Sequence, residues 1–157
     1  MNQSSLKRRF LFVATILFVF SISETGTSAG PSPVVATVQK VNGTATVIRQ
    51  GQSMPTKIGL EIREYDTLCT GPDGSIGVVF SDDTLLSLGP ESVLVIDEFA
   101  FAPREREFSL VLRMLKGTAA YLSGLISKLS PGSARFQTPS ASIGIRGTRF
   151  VVKVTGE

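Results

Sequence analysis

Six consecutive residues, Gly144-Ile145-Arg146-Gly147-Thr148-Arg149, are the part of this 157-residue sequence best suited to holding a charged ligand. Backbone N–H groups of a glycine-rich turn can point together, and arginine guanidinium groups match a phosphate or carboxylate. Arg146 and Arg149 are therefore candidate contacts for an anion such as phosphate or a carboxylated glycan. The plainer counterpart is a β-bulge carrying two solvated arginines, which is the commoner use of such a stretch. No Walker lysine or dinucleotide-binding spacing accompanies the glycines. The rest of the chemical inventory is thin. The chain has no histidine, which removes Ser-His-Asp and Cys-His arrangements and most zinc sites. Paired carboxylates could still do acid–base work. The adjacent pairs are Asp82-Asp83 and Asp97-Glu98, and neighbours on a strand point to opposite faces. Asp82-Asp83 sits in a turn signal and is expected to be a solvated turn, since a calcium loop wants several spaced oxygen ligands. Cys69 is the single cysteine, so no intramolecular disulfide forms. It is expected to be a small buried apolar residue rather than a reactive thiol. No catalytic residue, metal or cofactor is expected, and a secreted enzyme ranks last among the function classes.

These residues must be positioned by a chain whose first part looks like a targeting segment. Lys7, Arg8 and Arg9 precede an apolar run from Phe10 to Phe20, and small residues follow to Thr27-Ser28-Ala29. A basic region, a short apolar region and a small-residue cleavage site describe a secretory signal peptide over residues 1–29. The run is shorter than the roughly 20 residues a membrane span needs. An uncleaved inner-membrane anchor over residues 10–22 is the alternative. No cysteine closes the apolar run, which excludes the usual lipoprotein processing. Gly30 to Pro33 reads as a linker and residues 34–157 as one β domain. Residues 1–29 hold three of the 16 basic and one of the 13 acidic residues, so 13 against 12 remain, a net charge of +1. Charge therefore makes no case for nucleic acid or an anionic membrane. A domain of this length hides about two thirds of its unfolded surface and needs no disulfide staples.

From Val34 onward short apolar segments alternate with turn signals. The segments are Val34–Val41, Ala45–Arg49, Thr67–Thr70, Ile76–Phe80, Leu85–Leu88, Val93–Phe99, Phe108–Leu115, Ala134–Thr138 and Thr148–Val154. Asn42-Gly43, Gly71-Pro72-Asp73-Gly74, Ser81-Asp82-Asp83, Gly89-Pro90 and Pro131-Gly132 separate them. This pattern predicts an all-β fold, a twisted two-layer β-sandwich or β-roll of short strands with tight turns. Ala119–Leu129, with Gly124 and several serines, is expected to be a loop or a short helix. Val93–Ile96 and Leu110–Leu112 are apolar on both faces and are expected to be covered on both or to lie where two sheets meet. Arg104-Glu105-Arg106-Glu107 is a solvated connection, and Phe99, Phe101 and Phe108 beside it are expected in the core. Gly-Thr pairs at 43, 117 and 147, and Ser-Ile-Gly at 75 and 142, suggest either two similar β-units or the small vocabulary of β-turns.

The phase of the apolar residues changes around Gly147. Ile143 and Ile145 are apolar at odd positions, but Phe150, Val152 and Val154 are apolar at even ones. Strand side chains alternate faces, so an extra residue must be absorbed in Arg146-Gly147-Thr148 by a bulge or tight turn. Glycine takes positive φ there without strain.

The segment Thr138-Pro139-x-Ala141-x-x-Gly144-x-Arg146-Gly147-Thr148-x-Phe150-x-Val152 resembles the signature ending of FecR domains. Gly43-Thr44-Ala45-x-Val47 resembles the family's opening strand, and Tyr65-Asp66-Thr67-Leu68-Cys69-Thr70-Gly71 its "GD-x-hydrophobic-x-T" segment. Asp82-Asp83-Thr84-Leu85 with Gly89-Pro90-Glu91-Ser92 resembles the "DG-hydrophobic … P-x-S" segment, and Leu115-Lys116-Gly117 a later hydrophobic-x-Gly element. Tyr65 and Asp83 stand where the family usually has glycine. The resemblance implies an exported, non-catalytic β module, periplasmic or secreted, that acts in protein interaction, sensing or scaffolding at the bacterial cell envelope. Binding of a glycan or another anionic envelope ligand is the alternative. The implied partner is an envelope protein and not nucleic acid. The membrane would be met only through the N-terminal segment if uncleaved. The iron-uptake regulators that name the family add a cytoplasmic segment that contacts a sigma factor. Only Met1 to Arg9 precedes the apolar run here, so that relay is not expected. The signature residues Thr138, Pro139, Gly144, Arg146, Gly147, Thr148 and Phe150 are expected to serve the architecture.

Overall fold

The computed structural model describes residues 32–147 and 149–155. The expected signal peptide, its alternative as an anchor over residues 10–22, and Thr148 lie outside the described residues. The described chain is built from β1 (Val34–Asn42), β2 (Ala45–Arg49), β3 (Gln52–Pro55), β4 (Glu61–Arg63), β5 (Thr67–Thr70), β6 (Ser75–Phe80), β7 (Leu85–Leu88), β8 (Val93–Ala102), β9 (Glu107–Leu122), α1 (Ile126–Leu129), β10 (Ala134–Gln137), β11 (Ser142–Ile145) and β12 (Arg149–Val154). The all-β expectation holds, with one helical turn. No helix among the described residues is long and apolar enough to cross a membrane.

The strands form one curled sheet in two limbs that share β9. The first limb runs β4-β1-β6-β7-β9-β12 and the second β3-β2-β5-β8-β9-β10-β11. All pairings are antiparallel except β9 with β10. The first part of β9 pairs β8 and β10, and Gly117 to Leu122 pairs β12, with β7 on the other side. Gly117 marks the changeover at φ +95, and a Cβ there would run into Ser92. Period-two alternation puts one face of each limb inside. Val38, Val78, Leu86 and Tyr121 of the first limb share a core with Val47, Leu68, Leu94 and Leu112 of the second. Phe80 stacks on Phe99 across the limbs, centroids 5.5 Å apart.

Several expectations are corrected. Ala119–Leu122 is not a loop but the end of β9, and only Ile126–Leu129 is helical. Backbone pairing with β7 on one side and β12 on the other holds this stretch extended. Strands β3, β4 and β11 were not among the expected segments; β3 and β4 are short, polar edges with little alternation. Of the two places expected for Val93–Ile96 and Leu110–Leu112, full cover on both faces does not hold, since Val93, Val95 and Val111 are half-buried while Leu94, Ile96, Leu110 and Leu112 are fully inside; β9, which carries Leu110–Leu112, is the strand that both limbs share. Cys69 is half-buried, not buried, because it faces away from Leu68 and the core. Phe99, Phe101 and Phe108 pack against the core as expected.

The phase change at Gly147 has a structural cause. Ile145 is buried from β11 in the second limb, whereas Phe150 and Val152 face the core from β12 in the first. The chain changes limbs at this corner, so the inward parity changes with it. Gly147 takes φ +60 there, the conformation expected of it.

Candidate functional site

The signature segment forms one end of the two limbs. Thr138 closes the turn between β10 and β11: its N–H donates to the Ala141 carbonyl at 2.8 Å, and its hydroxyl accepts from the Ala141 N–H at 3.0 Å. Pro139 is exposed in that turn, and Gly144 is an exposed residue of β11 opposite Arg135. Phe150 stacks on its cross-strand neighbour Tyr121 at 5.1 Å and meets Phe136 edge-on at 5.5 Å. Tyr121 and Phe136 also meet edge-on. These three rings join the limbs. Burial pushes the Tyr121 phenol up to about 12, and the nearby Asp82 charge adds to this; the buried hydroxyl makes no hydrogen bond among the described residues.

The motif fragments seen singly in the sequence meet in space. The Thr70 hydroxyl donates to the Gly89 carbonyl at 2.7 Å and accepts from the Ser92 N–H at 2.9 Å. The Ser92 hydroxyl accepts from the Thr118 N–H at 3.0 Å, beside Gly117. Thr70 and Ser92 are buried, so these bonds satisfy groups that would otherwise be costly to hide. Asp66 is buried and takes both Arg49 Nε at 2.8 Å and Arg49 Nη2 at 2.7 Å, with the Arg63 N–H at 2.8 Å. The hydrogen bond from Arg49 to Asp66 pulls the arginine pKa up.

Asp82 overturns the expectation of a solvated turn. It is fully buried. Its carboxylate accepts from the Thr84 N–H at 3.1 Å, the Thr84 hydroxyl at 2.9 Å and the Ile126 N–H at 3.1 Å. Its carbonyl accepts from the Leu125 N–H at 2.7 Å. It thus caps α1 from 44 residues away. The turn signal gave the right backbone but hid the side chain's role. Asp83 alone is exposed, at φ +65. Tyr65 takes φ +69. Both positions where the family usually has glycine are therefore left-handed ones.

Asp97 and Glu98 do not share a site. Asp97 pairs with Arg113 in two contacts of 2.6 Å, and Glu98 is exposed. Burial pushes the Cys69 thiol up, partly offset by Lys116, away from the reactive thiolate. Among the described residues no group of three or more His, Cys, Asp or Glu could hold a metal ion. Arg146 and Arg149 are both exposed. They line neither of the two cavities beside the signature. The larger, about 690 Å³, lies between β11 and β12, with Leu115, Ile143, Val152 and Val154 on its apolar side and Thr138, Ser140, Lys153 and Thr155 on its polar side. The smaller, about 250 Å³, continues past Ile145 and Phe150. Sequence reasoning missed this groove. The available signal was Arg149-x-Val151-x-Lys153, an outward row with a valine in it.

A family model described as FecR protein matches residues 66–157. The match begins at Asp66, so Gly43–Val47 and Tyr65 lie outside it. No curated protein and no solved structure matches the chain.

Proposed function

The chain belongs to the FecR protein family, a regulatory and signalling family, and from this we propose that it is a non-catalytic protein-binding module of the bacterial cell envelope. The observation that carries the reading is the division of labour at the signature. Thr138, Gly147 and Phe150 are occupied in the turn, the corner and the ring cluster. The groove between β11 and β12 beside them is open and mixed, with Leu115, Ile143, Val152 and Val154 alongside Thr138, Ser140, Lys153 and Thr155. Such a surface suits another polypeptide better than a reacting small molecule. The basic and apolar residues from Lys7 to Ala29 support export with signal cleavage, to the periplasm or beyond. A mature N-terminus near Gly30 is the expected result; retention of residues 10–22 would favour the anchor.

In-cell crosslinking of the exported protein, followed by mass spectrometry, tests the reading. The expected result is a reproducible adduct with one distinct envelope protein. Retention on peptidoglycan or polysaccharide instead, lost in Arg146→Ala with Arg149→Ala, would overturn it in favour of a glycan ligand.

A further inference from the structure

Among the described residues β3, β4, β11 and β12 each pair on one side only, leaving four sheet edges. Exposed edges invite pairing with another chain, and proteins blunt them with short length, proline or charge. β3 ends in Pro55, β4 has three residues and β11 has four with Gly144 in it. β12 is the longest, with six residues, RFVVKV, and no proline. Its outward row is Arg149, Val151 and Lys153, and Val151 is 67% exposed. The row continues apolar into the sheet: Arg149 lies opposite Leu122, which lies opposite Leu85, and both leucines are exposed.

Neither cation has an acid directly across its ladder, though Glu91 lines a cavity with Lys153. Arg149 faces Leu122 and Lys153 faces Thr118 across the β12–β9 ladder. Neither takes part in an ion pair among the described residues. Of the inward row, Val152 and Val154 line the larger cavity of the groove with Ile143 and Lys153, and Phe150 lines the smaller. A strand added to β12 would place alternate side chains in that groove and the others beside Arg149, Val151 and Lys153. Opposite charges directly across a ladder stabilise it and like charges oppose it. A second copy of this chain fits poorly, since self-pairing gathers two Arg149 and two Lys153 on one face.

We infer that the free edge of β12 docks an extended segment of a partner protein, with acidic residues four apart, an apolar residue midway and apolar side chains between. This rests on the protein-binding reading and names its surface. The probe is a labelled peptide containing Glu-Val-Val-Val-Glu in a Ser/Thr frame, with Lys-Val-Val-Val-Lys as its counterpart. Binding to the purified protein is measured by fluorescence anisotropy at low salt, where exposed ion pairs are least screened. The acidic peptide should bind roughly ten-fold tighter, the scale of two exposed charge pairs against two repulsions. Arg149→Glu with Lys153→Glu should reverse the preference. Should that variant fold poorly, Arg149→Gln and Lys153→Gln singly should each reduce it. Equal binding of the two peptides, a preference unchanged in the variants, or a dimer dissolved by the same substitutions would overturn the inference. Any of these beside an intact envelope adduct would remove the β12 edge and leave the protein-binding reading standing.

Discussion

Tyr65 and Asp83 show what single residues cost this chain. Both occupy the left-handed region that the family's usual glycine takes freely. An L-residue there is strained on the order of 1–2 kcal/mol, though aspartate tolerates it better than tyrosine. The Tyr65 side chain is 67% exposed, so little packing holds it. Tyr65→Gly should be about 1 kcal/mol more stable than Tyr65→Ala, the net of relieved strain and glycine's entropy cost. Denaturant unfolding of both variants checks this; equal stabilities would mean that φ at this position carries no strain. At this scale the sequence was legible where backbone dominates. Gly147's positive φ followed from parity alone. Asp82 was not legible, because a turn aspartate looks the same whether it faces water or caps a helix 44 residues on.

At the scale of elements, β9 organises the rest. It pairs with β7, β8, β10 and β12, and Gly117 is where its neighbours change. Gly117→Ala combines positive φ with overlap on Ser92. It should cost about 2–4 kcal/mol, the range for backbone strain with a steric clash in a packed site. Thermal unfolding checks it; an unchanged midpoint would show that the β9–Ser92 approach is looser than the structure has it. Strands with alternating apolar residues on a buried face, such as β2, β5 and β7, were legible to the residue. The C-terminal part of β9 was not, since Ala119 and Ala120 carry a weak pattern. Its strand character comes from being flanked on both sides. The two similar Ser-Ile-Gly stretches open unlike strands: β6 has two neighbours and β11 only one.

At the scale of the whole molecule, one core unites both limbs, and residues outside the family match are part of it. Val35, Val38 and Val47 are core residues, and Arg49 neutralises Asp66 at the first matched position. The motif fragments were legible singly, but their meeting was not. Thr70, Ser92 and Thr118 are separated by 22 and 26 residues, and only the paired strands bring them together. The same holds for the groove, which exists because β11 and β12 end different limbs. The central claim is that the family's motifs build the fold and leave function to the open edge. A double-mutant cycle of Thr70→Val and Ser92→Ala, read by denaturant unfolding together with capture of the proposed envelope partner, tests it most directly. Each single variant should lose about 1–3 kcal/mol of stability by stranding a buried group, and the two should couple by at least about 0.5 kcal/mol. The folded fraction should still capture the partner. Wild-type stability in both variants with partner capture abolished would contradict the account and make the motif the binding site.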